Sequence, residues 1–457
     1  MAEPAVMNDY SEQPMPWRGL LLFVPPLALV LVALLAGGAS RLNPIGLMIA
    51  ELLGVVALAP ALLRSPDLAH TRLTLAALLL LALTAALPLL QLVPLPPGVW
   101  QALPGRAPMA HAVTLIGLPD RWRPMSLAPD ETAGAALFLL APAGMFLAAL
   151  QCEPKQRVWL VMGVLAVALV SLPFGAVQVA AGQNQHLQLY AAATPGLPNG
   201  FFANRNHQAA FMIAAIGLSA SLLGPWELPL ALERRPLVIL GLMLLFAVGA
   251  AATLSRAGLL LLAPVLIIAL LIMQTRMRGL NRWLRFAIPL AAIVGVAAVV
   301  LVLKGGAILD RFEQGSGAAG RVSILPKVIA AGQTLQPLGG GIGTFDMVYR
   351  AVEPLDQVIP EYLNHVHDDY VELWLEGGWT AAALIASLWV WWGFATVTAW
   401  FGPARADSAL ARSGSLVAAG LLVHSVGDYP LRTPALAVVF ALACAMMAPT
   451  PTLKRPG

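Results

Sequence analysis

The chain has 457 residues, of which 59% are hydrophobic and only 11% charged, with a mean hydropathy of +0.78. Soluble globular chains carry about 25% charged residues, so this composition excludes a soluble protein and specifies a polytopic membrane protein. The net charge of +4 and the pI near 9.3 fit basic loops on one side of a membrane and give no sign of nucleic-acid binding.

A membrane-crossing helix needs about 20 mostly apolar residues. Runs of about that length lie near 18–38, 44–63, 73–93, 133–150, 158–180, 207–223, 236–252, 257–274, 284–303, 377–400, 412–427 and 433–449. They predict an all-α protein of about twelve transmembrane helices. The first sixteen residues are polar and no cleavage-like site follows the first run, which therefore reads as a retained helix. With no short-period repeat and no appended soluble segment, residues 1–457 read as a single integral membrane domain. Cys152 sits near a helix end and Cys444 inside an apolar run, a pattern that suggests neither a disulfide framework nor a metal site. Glu51 lies within the second run, where a carboxylate needs either a partner or a proton.

Charge placement predicts the topology. With the N-terminus cytoplasmic, fifteen of the 27 basic residues fall in cytoplasmic segments and eight in two long outer loops. Only Arg41, Arg205, Arg256 and Arg432 fall in short outer segments. This asymmetry places both termini in the cytoplasm. Three of the four exceptions lie in tight polar clusters: Asn204-Arg205-Asn206-His207, Ser255-Arg256-Ala257-Gly258 and His424-Ser425-Val426-Gly427-Asp428-Tyr429-Pro430-Leu431-Arg432. Each arginine alone is explained by snorkelling from a helix end. Three in one leaflet favour a shared anionic ligand at headgroup depth, and a lipid diphosphate suits guanidinium donors.

Between the third and fourth runs, residues 94–132 carry Pro94, Pro96, Pro97, Trp100 and Trp122, which suit a loop lying along the membrane surface. Its tail, Trp122 to Thr132, supplies acids and hydroxyls fitted to capping the next helix. Residues 182–207 are rich in amides, which serve either as sugar-hydroxyl partners or as ordinary Asn-Gly turn chemistry.

The longest polar interruption spans residues 304–370 and reads as a large outer loop with short interfacial helices. Residues 321–336 form one such helix, with Ile324, Leu325, Val328, Ile329 and Leu335 on its apolar side and Arg321 at its start. The run Gly339-Gly340-Gly341-Ile342-Gly343 follows no strand and reads as a flexible turn. The loop closes on Asn364-His365-Val366-His367-Asp368-Asp369-Tyr370. Asp369 is placed to cap a helix beginning near Tyr370, with Glu372 and Glu376 one turn apart on it. His367 then stands at the water boundary just before a helix. It is either a loop-capping surface histidine or a general base for an incoming hydroxyl.

These residues together resemble the O-antigen ligase/polymerase superfamily of bacterial inner-membrane glycosyltransferases. The resemblance rests on Asn199-Gly200-Phe201-Phe202-Ala203-Asn204-Arg205-Asn206-His207, on Ser255-Arg256-Ala257-Gly258, on Gly320-Arg321 leading into Pro337–Gly343, and on His367-Asp368-Asp369-Tyr370-Val371 with Glu376-Gly377. The stretch His424 to Arg432 resembles the polysaccharide-polymerase branch. The resemblance implies a fold like the C-type glycosyltransferases and transfer of a glycan from an undecaprenyl-diphosphate donor. The implied acceptor is a hydroxyl on a lipid-linked repeat, lipid A–core or a protein, reached on the periplasmic face without cofactor or metal. It implies His367 as the base and Arg205, Arg256 and Arg321 as diphosphate ligands, supported by Asn204, Asn206, His365, Asp368, Glu376 and Arg432. Asp368 stands where the family has Asn, and Val371 where it has Leu. Either Asp368 raises the basicity of His367 or the register is anchored on His365. The rival reading is a transporter of the same lipid-linked glycan without bond chemistry.

Overall fold

The structure, a computed structural model, describes residues 17–40, 44–63, 71–226, 234–274, isolated positions between 283 and 298, 316–353, 358, 363–403, 405 and 407–449. It is an all-α polytopic membrane protein. The helices are α1 (Trp17–Ala36), α2 (Pro44–Leu63), α3 (Arg72–Gln91), α4 (Pro97–Gln101), α5 (Ala107–Leu115), α6 (Pro129–Phe138), α7 (Leu140–Gln151) and α8 (Pro154–Ala180). They continue with α9 (Arg205–Ser219), α10 (Arg235–Ala252), α11 (Arg256–Gln274), α12 (Ser316–Thr334), α13 (Phe345–Val352), α14 (Asp369–Phe401), α15 (Ser408–His424) and α16 (Pro434–Met447). Among the described residues the sole sheet is a two-residue antiparallel ribbon pairing Pro94 with Pro124 and Leu95 with Arg123. It closes the 94–132 loop on itself. The predicted span 284–303 lies largely outside the described residues; each of the other apolar runs coincides with a helix.

Among the described residues, seven helical stretches are long and apolar enough to cross a membrane, with α6 and α7 running together as one of them. The least hydropathic, α9, is the most enclosed: every residue from His207 to Leu223 is buried. Its sequence explains this. Ala209, Ala210, Ala214, Ala215 and Gly217 keep its surface small, so α8, α10, α11 and α15 approach closely around it.

Arg157, fully buried at the start of α8, staples two helix ends at the far side of the bundle. Its guanidinium donates to the carbonyls of Ala149 (2.8 Å) and Leu150 (3.1 Å) at the end of α7, and of Ala445 (3.0 Å) and Ala448 (3.2 Å) at the end of α16. The last carbonyls of a helix have no partner within it, and a cation there also meets the negative end of the helix dipole.

The polar interruption carries its own small core rather than lying flat on lipid. Ile324, Val328, Ala331 and Leu335 of α12 pack with Phe345, Val348 and Tyr349 of α13 and with Val366 and Leu375. Helix α12 begins at Ser316, so Arg321 stands inside it and not at its start. The glycine run is a buried docking segment rather than a flexible turn. Gly340 and Gly341 donate their N–H groups to the carbonyls of Leu375 (3.0 Å) and Glu376 (2.8 Å), and Trp379 returns one to Pro337 (3.0 Å). This contact interrupts α14 at Gly378, whose φ of +60° departs from the helix. A Cβ there would collide with the Pro337 carbonyl, and one on Gly339 (φ +77°) with the Glu376 carbonyl. Only glycine allows the two backbones to meet.

Arg106 ties in the first long loop, donating to the carbonyls of Pro104, Met125 and Gly339. Burial pushes its pKa down to about 10. At the tail of that loop Ser126 and Thr132 bond each other at 2.7 Å. Thr132 also donates to the Ile342 carbonyl and Ser126 accepts from Ala128. Thus the hydroxyls there join loop to loop, while Asp130 and Glu131 occupy the first turn of α6.

Candidate active site

The polar clusters meet at one end of the bundle, where α9, α11, α14 and α16 begin and α1 and α15 finish. Backbone bonds fasten the turn after α1 to two of them: Ala203 donates to Gly38 at 3.1 Å and Ala435 to Gly37 at 3.1 Å. The Tyr190 hydroxyl bonds the Gly38 N–H and the Ala36 carbonyl. Asn364 reaches Ser40 at 3.3 Å, bringing the histidine segment to the same place. The amides of the 182–207 segment are structural here. Gln178 clamps Gly200 through both its N–H and carbonyl, and Asn199 binds Gln188 and Thr194.

Asp368, not Asp369, caps α14: its Oδ1 accepts from the N–H groups of Tyr370 (3.0 Å) and Val371 (3.1 Å). That leaves Asp369 as the first helical residue, turned to Arg432. His367, immediately before the cap, has a φ of +62°. A non-glycine residue in this region is uncommon and persists where its surroundings hold it there. What holds it is Asp428, whose Oδ1 lies 3.0 Å from His367 Nδ1. A carboxylate only accepts, so Nδ1 carries the proton and Nε2 presents its lone pair. Asp428 is wholly buried. Burial pushes its pKa up, but His207 and His367 more than offset this and hold it well below the usual carboxylate range. His207 Nε2 stands 3.7 Å from the same oxygen, an ion-pair distance beyond hydrogen-bond reach. The Tyr429 ring packs among three imidazoles, with centroids 4.4 Å from His365, 4.8 Å from His367 and 4.9 Å from His207.

His365 makes a second imidazole–carboxylate pair, with Nδ1 2.7 Å from Glu372 Oε1; Glu372 Oε2 accepts the Val366 N–H at 2.8 Å. Arg432 completes that network. Its guanidinium meets Asp369 (3.3 Å), Glu372 (3.1 Å) and Glu376 (3.0 Å). Burial alone would lower its pKa, but the three acids raise it and keep it charged. Arg432 therefore has its anions within the protein, and the expectation that it shares a ligand with Arg205 and Arg256 gives way to a structural role. The other oxygen of Glu376 accepts the Phe345 N–H at the start of α13.

Arg205 and Arg256 are each the first residue of a helix, α9 and α11. Asn204 caps α9, its Oδ1 accepting the Asn206 N–H at 2.8 Å. The two helix starts lie side by side: a Cβ on Gly258 would stand 2.8 Å from that of Ala209. A cation at a helix N-terminus works against the dipole, whereas the exposed N–H groups and the guanidinium together favour an anion. Arg321 lies in α12, and its side chain is outside the described residues.

Residues 241–386 match the family model for O-antigen ligase. This match supports membership of the O-antigen ligase superfamily. No curated protein matches it. The family points to an enzyme of glycosyltransferase type with lipid-linked glycans as its substrate class, and with the apolar helices to a multi-pass membrane protein. The O-antigen ligase segment takes in Arg256, Arg321, His365, His367, Glu372 and Glu376; Arg205 and His207 precede it, and Asp428 and Arg432 follow it. Asp428 is the site residue that sequence reasoning passed over. The signal was present: an acid in a short polar break between two apolar runs needs a partner.

Proposed function

We propose that this protein transfers a glycan from an undecaprenyl-diphosphate donor to a hydroxyl acceptor at the periplasmic face of a bacterial inner membrane, with both termini cytoplasmic. His367 Nε2 takes the acceptor O–H proton, and the oxygen attacks the anomeric carbon from the side opposite the diphosphate. The bond from that carbon to the diphosphate oxygen breaks, and the electron pair leaves with the lipid diphosphate. Configuration inverts because entry and departure are on opposite sides. Arg205, Arg256 and Arg321 stabilise the leaving charge, the task a metal ion performs in other transferases. Asp428 orients His367 and stabilises the imidazolium. His365, sealed against Glu372, stabilises the loop.

The observation that carries this reading is the His367–Asp428 pair held at 3.0 Å on a left-handed backbone, at the bundle end where two arginine-headed helices start side by side. Basic residues concentrated in the opposite segments support the periplasmic assignment. Purified protein supplied with lipid-linked glycan and acceptor is expected to yield a new glycosidic product and free lipid diphosphate. A substrate relocated across the bilayer but chemically unchanged would instead establish a transporter.

A further inference from the structure

Behind the His367–Asp428 pair lies a group of buried polar atoms that the proposed transfer does not use. His207 and His424 are 2% and 1% exposed, and neither ring nitrogen of either makes a hydrogen bond among the described residues. The same holds for Asp428 Oδ2, in a side chain wholly enclosed, while the buried Ser425 and Asp369 side chains lie against each other nearby. Buried polar atoms are paired in the great majority of cases, so several orphans in one place indicate a guest.

They are in one place. His207 stands 3.7 Å from Asp428, and Asp369 donates its N–H to the Ser425 carbonyl at 2.9 Å. A turn closed by Gly427 N–H to the His424 carbonyl (3.1 Å) brings His424 next to Asp428. Their chemistry is complementary. Each neutral imidazole offers one donor and one acceptor, the serine a donor, and the carboxylate oxygens accept. A small molecule with two donors and two acceptors joins such a set, and apolar walls, which would keep a cavity dry, are not what these residues supply. Among the described residues no group of three or more His, Cys, Asp or Glu is arranged to hold a metal ion.

We infer that His207, His424, Ser425, Asp369 and Asp428 enclose an internal water site, and that water there bonds Asp428 Oδ2 and so fixes the carboxylate that orients His367. The site itself stands apart from the proposed transfer; its effect on turnover rests on that reading. His424 is thus a positioning residue, separated from the substrate by the water, Asp428 and His367.

A density map of the purified full-length protein, at a resolution that reveals ordered solvent, is expected to show water within hydrogen-bond distance of His424 and Asp428 Oδ2. In the transfer assay, with lipid-linked glycan extracted from host membranes, His424→Leu is expected to lower kcat about tenfold, the loss of one hydrogen bond to a charged group. KM should stay unchanged, and His424→Gln, which keeps a donor and an acceptor, should restore most of the rate. Direct protein partners on His424 and Asp428 Oδ2 in the map would overturn the water site, as would full kcat in the leucine variant its role. If neither variant folds, the wild-type map still decides. If the wild type forms no glycosidic product, the transfer reading falls while the map independently tests the site.

Discussion

Two imidazole–carboxylate pairs stand two residues apart in the chain and differ in what surrounds them. His365 is 4% exposed, and its carboxylate, Glu372, also serves Arg432 and the Val366 N–H. His367 keeps 14% exposure, and its carboxylate, Asp428, meets imidazoles and its neighbour's backbone among the described residues. The first pair is one node in a charge network that fastens α14 to the turn before α16. The second leaves a nitrogen facing outward, backed by an anion that, among the described residues, has no guanidinium to neutralise it. Proximity to a carboxylate therefore does not by itself mark a base; what else that carboxylate holds, and whether the ring reaches solvent, separate the two.

The sharpest way to break this contrast is His367→Ala, expected to fold in membranes and to lose about 10²–10⁴-fold in transfer rate, the usual worth of a general base. Normal product formation would refute the assignment. Arg432→Leu strands three acids, and removing one partner of a buried charge set costs about 3–5 kcal/mol. The expected outcome is a large fall in thermal stability in detergent, unrelieved by added substrate. Asp428→Asn keeps the shape but weakens the hold on Nδ1–H, and should lower kcat about 10–100-fold with the protein still monodisperse. His365→Gln still donates to Glu372. It should cost about 1 kcal/mol of stability while turnover per folded molecule persists; a collapse matching His367→Ala would exchange the roles of the two histidines. The smallest effect concerns acid. Because folding depresses the Asp428 pKa, its contribution to stability is present above the unfolded value of about 3.9 and is lost as pH falls through the lower folded value. The melting temperature of Asp428→Asn should therefore respond less steeply below about pH 4 than that of the wild type.

The helices were largely legible because a lipid solvent demands long apolar runs, and α14 shows where that rule stops. Its apolar part begins near Gly377, but the helix starts at Asp369, since Arg432 compensates Asp369, Glu372 and Glu376 there. His367 and the arginines at helix starts stood out as polar residues in apolar surroundings. Asp428 stood in such a break too, but its pairing with His367 was not legible, because that partner lies 61 residues away and no periodicity links the two. The glycine run misled for a related reason. Glycine serves equally for freedom and for close approach, and the backbone that Gly339 and Gly341 dock against is visible only in three dimensions.

Three carboxylates, Asp369, Glu372 and Glu376, gather around the guanidinium of Arg432, whereas Arg205 and Arg256 each stand at the start of a helix. Such a lopsided field repels a polyanion from the acidic cluster and draws it to the two helix starts. Under the proposed transfer, the tethered sugar would arrive with its pyrophosphate leading toward the starts of α9 and α11, and the incoming alcohol, being uncharged, would be free to approach from elsewhere.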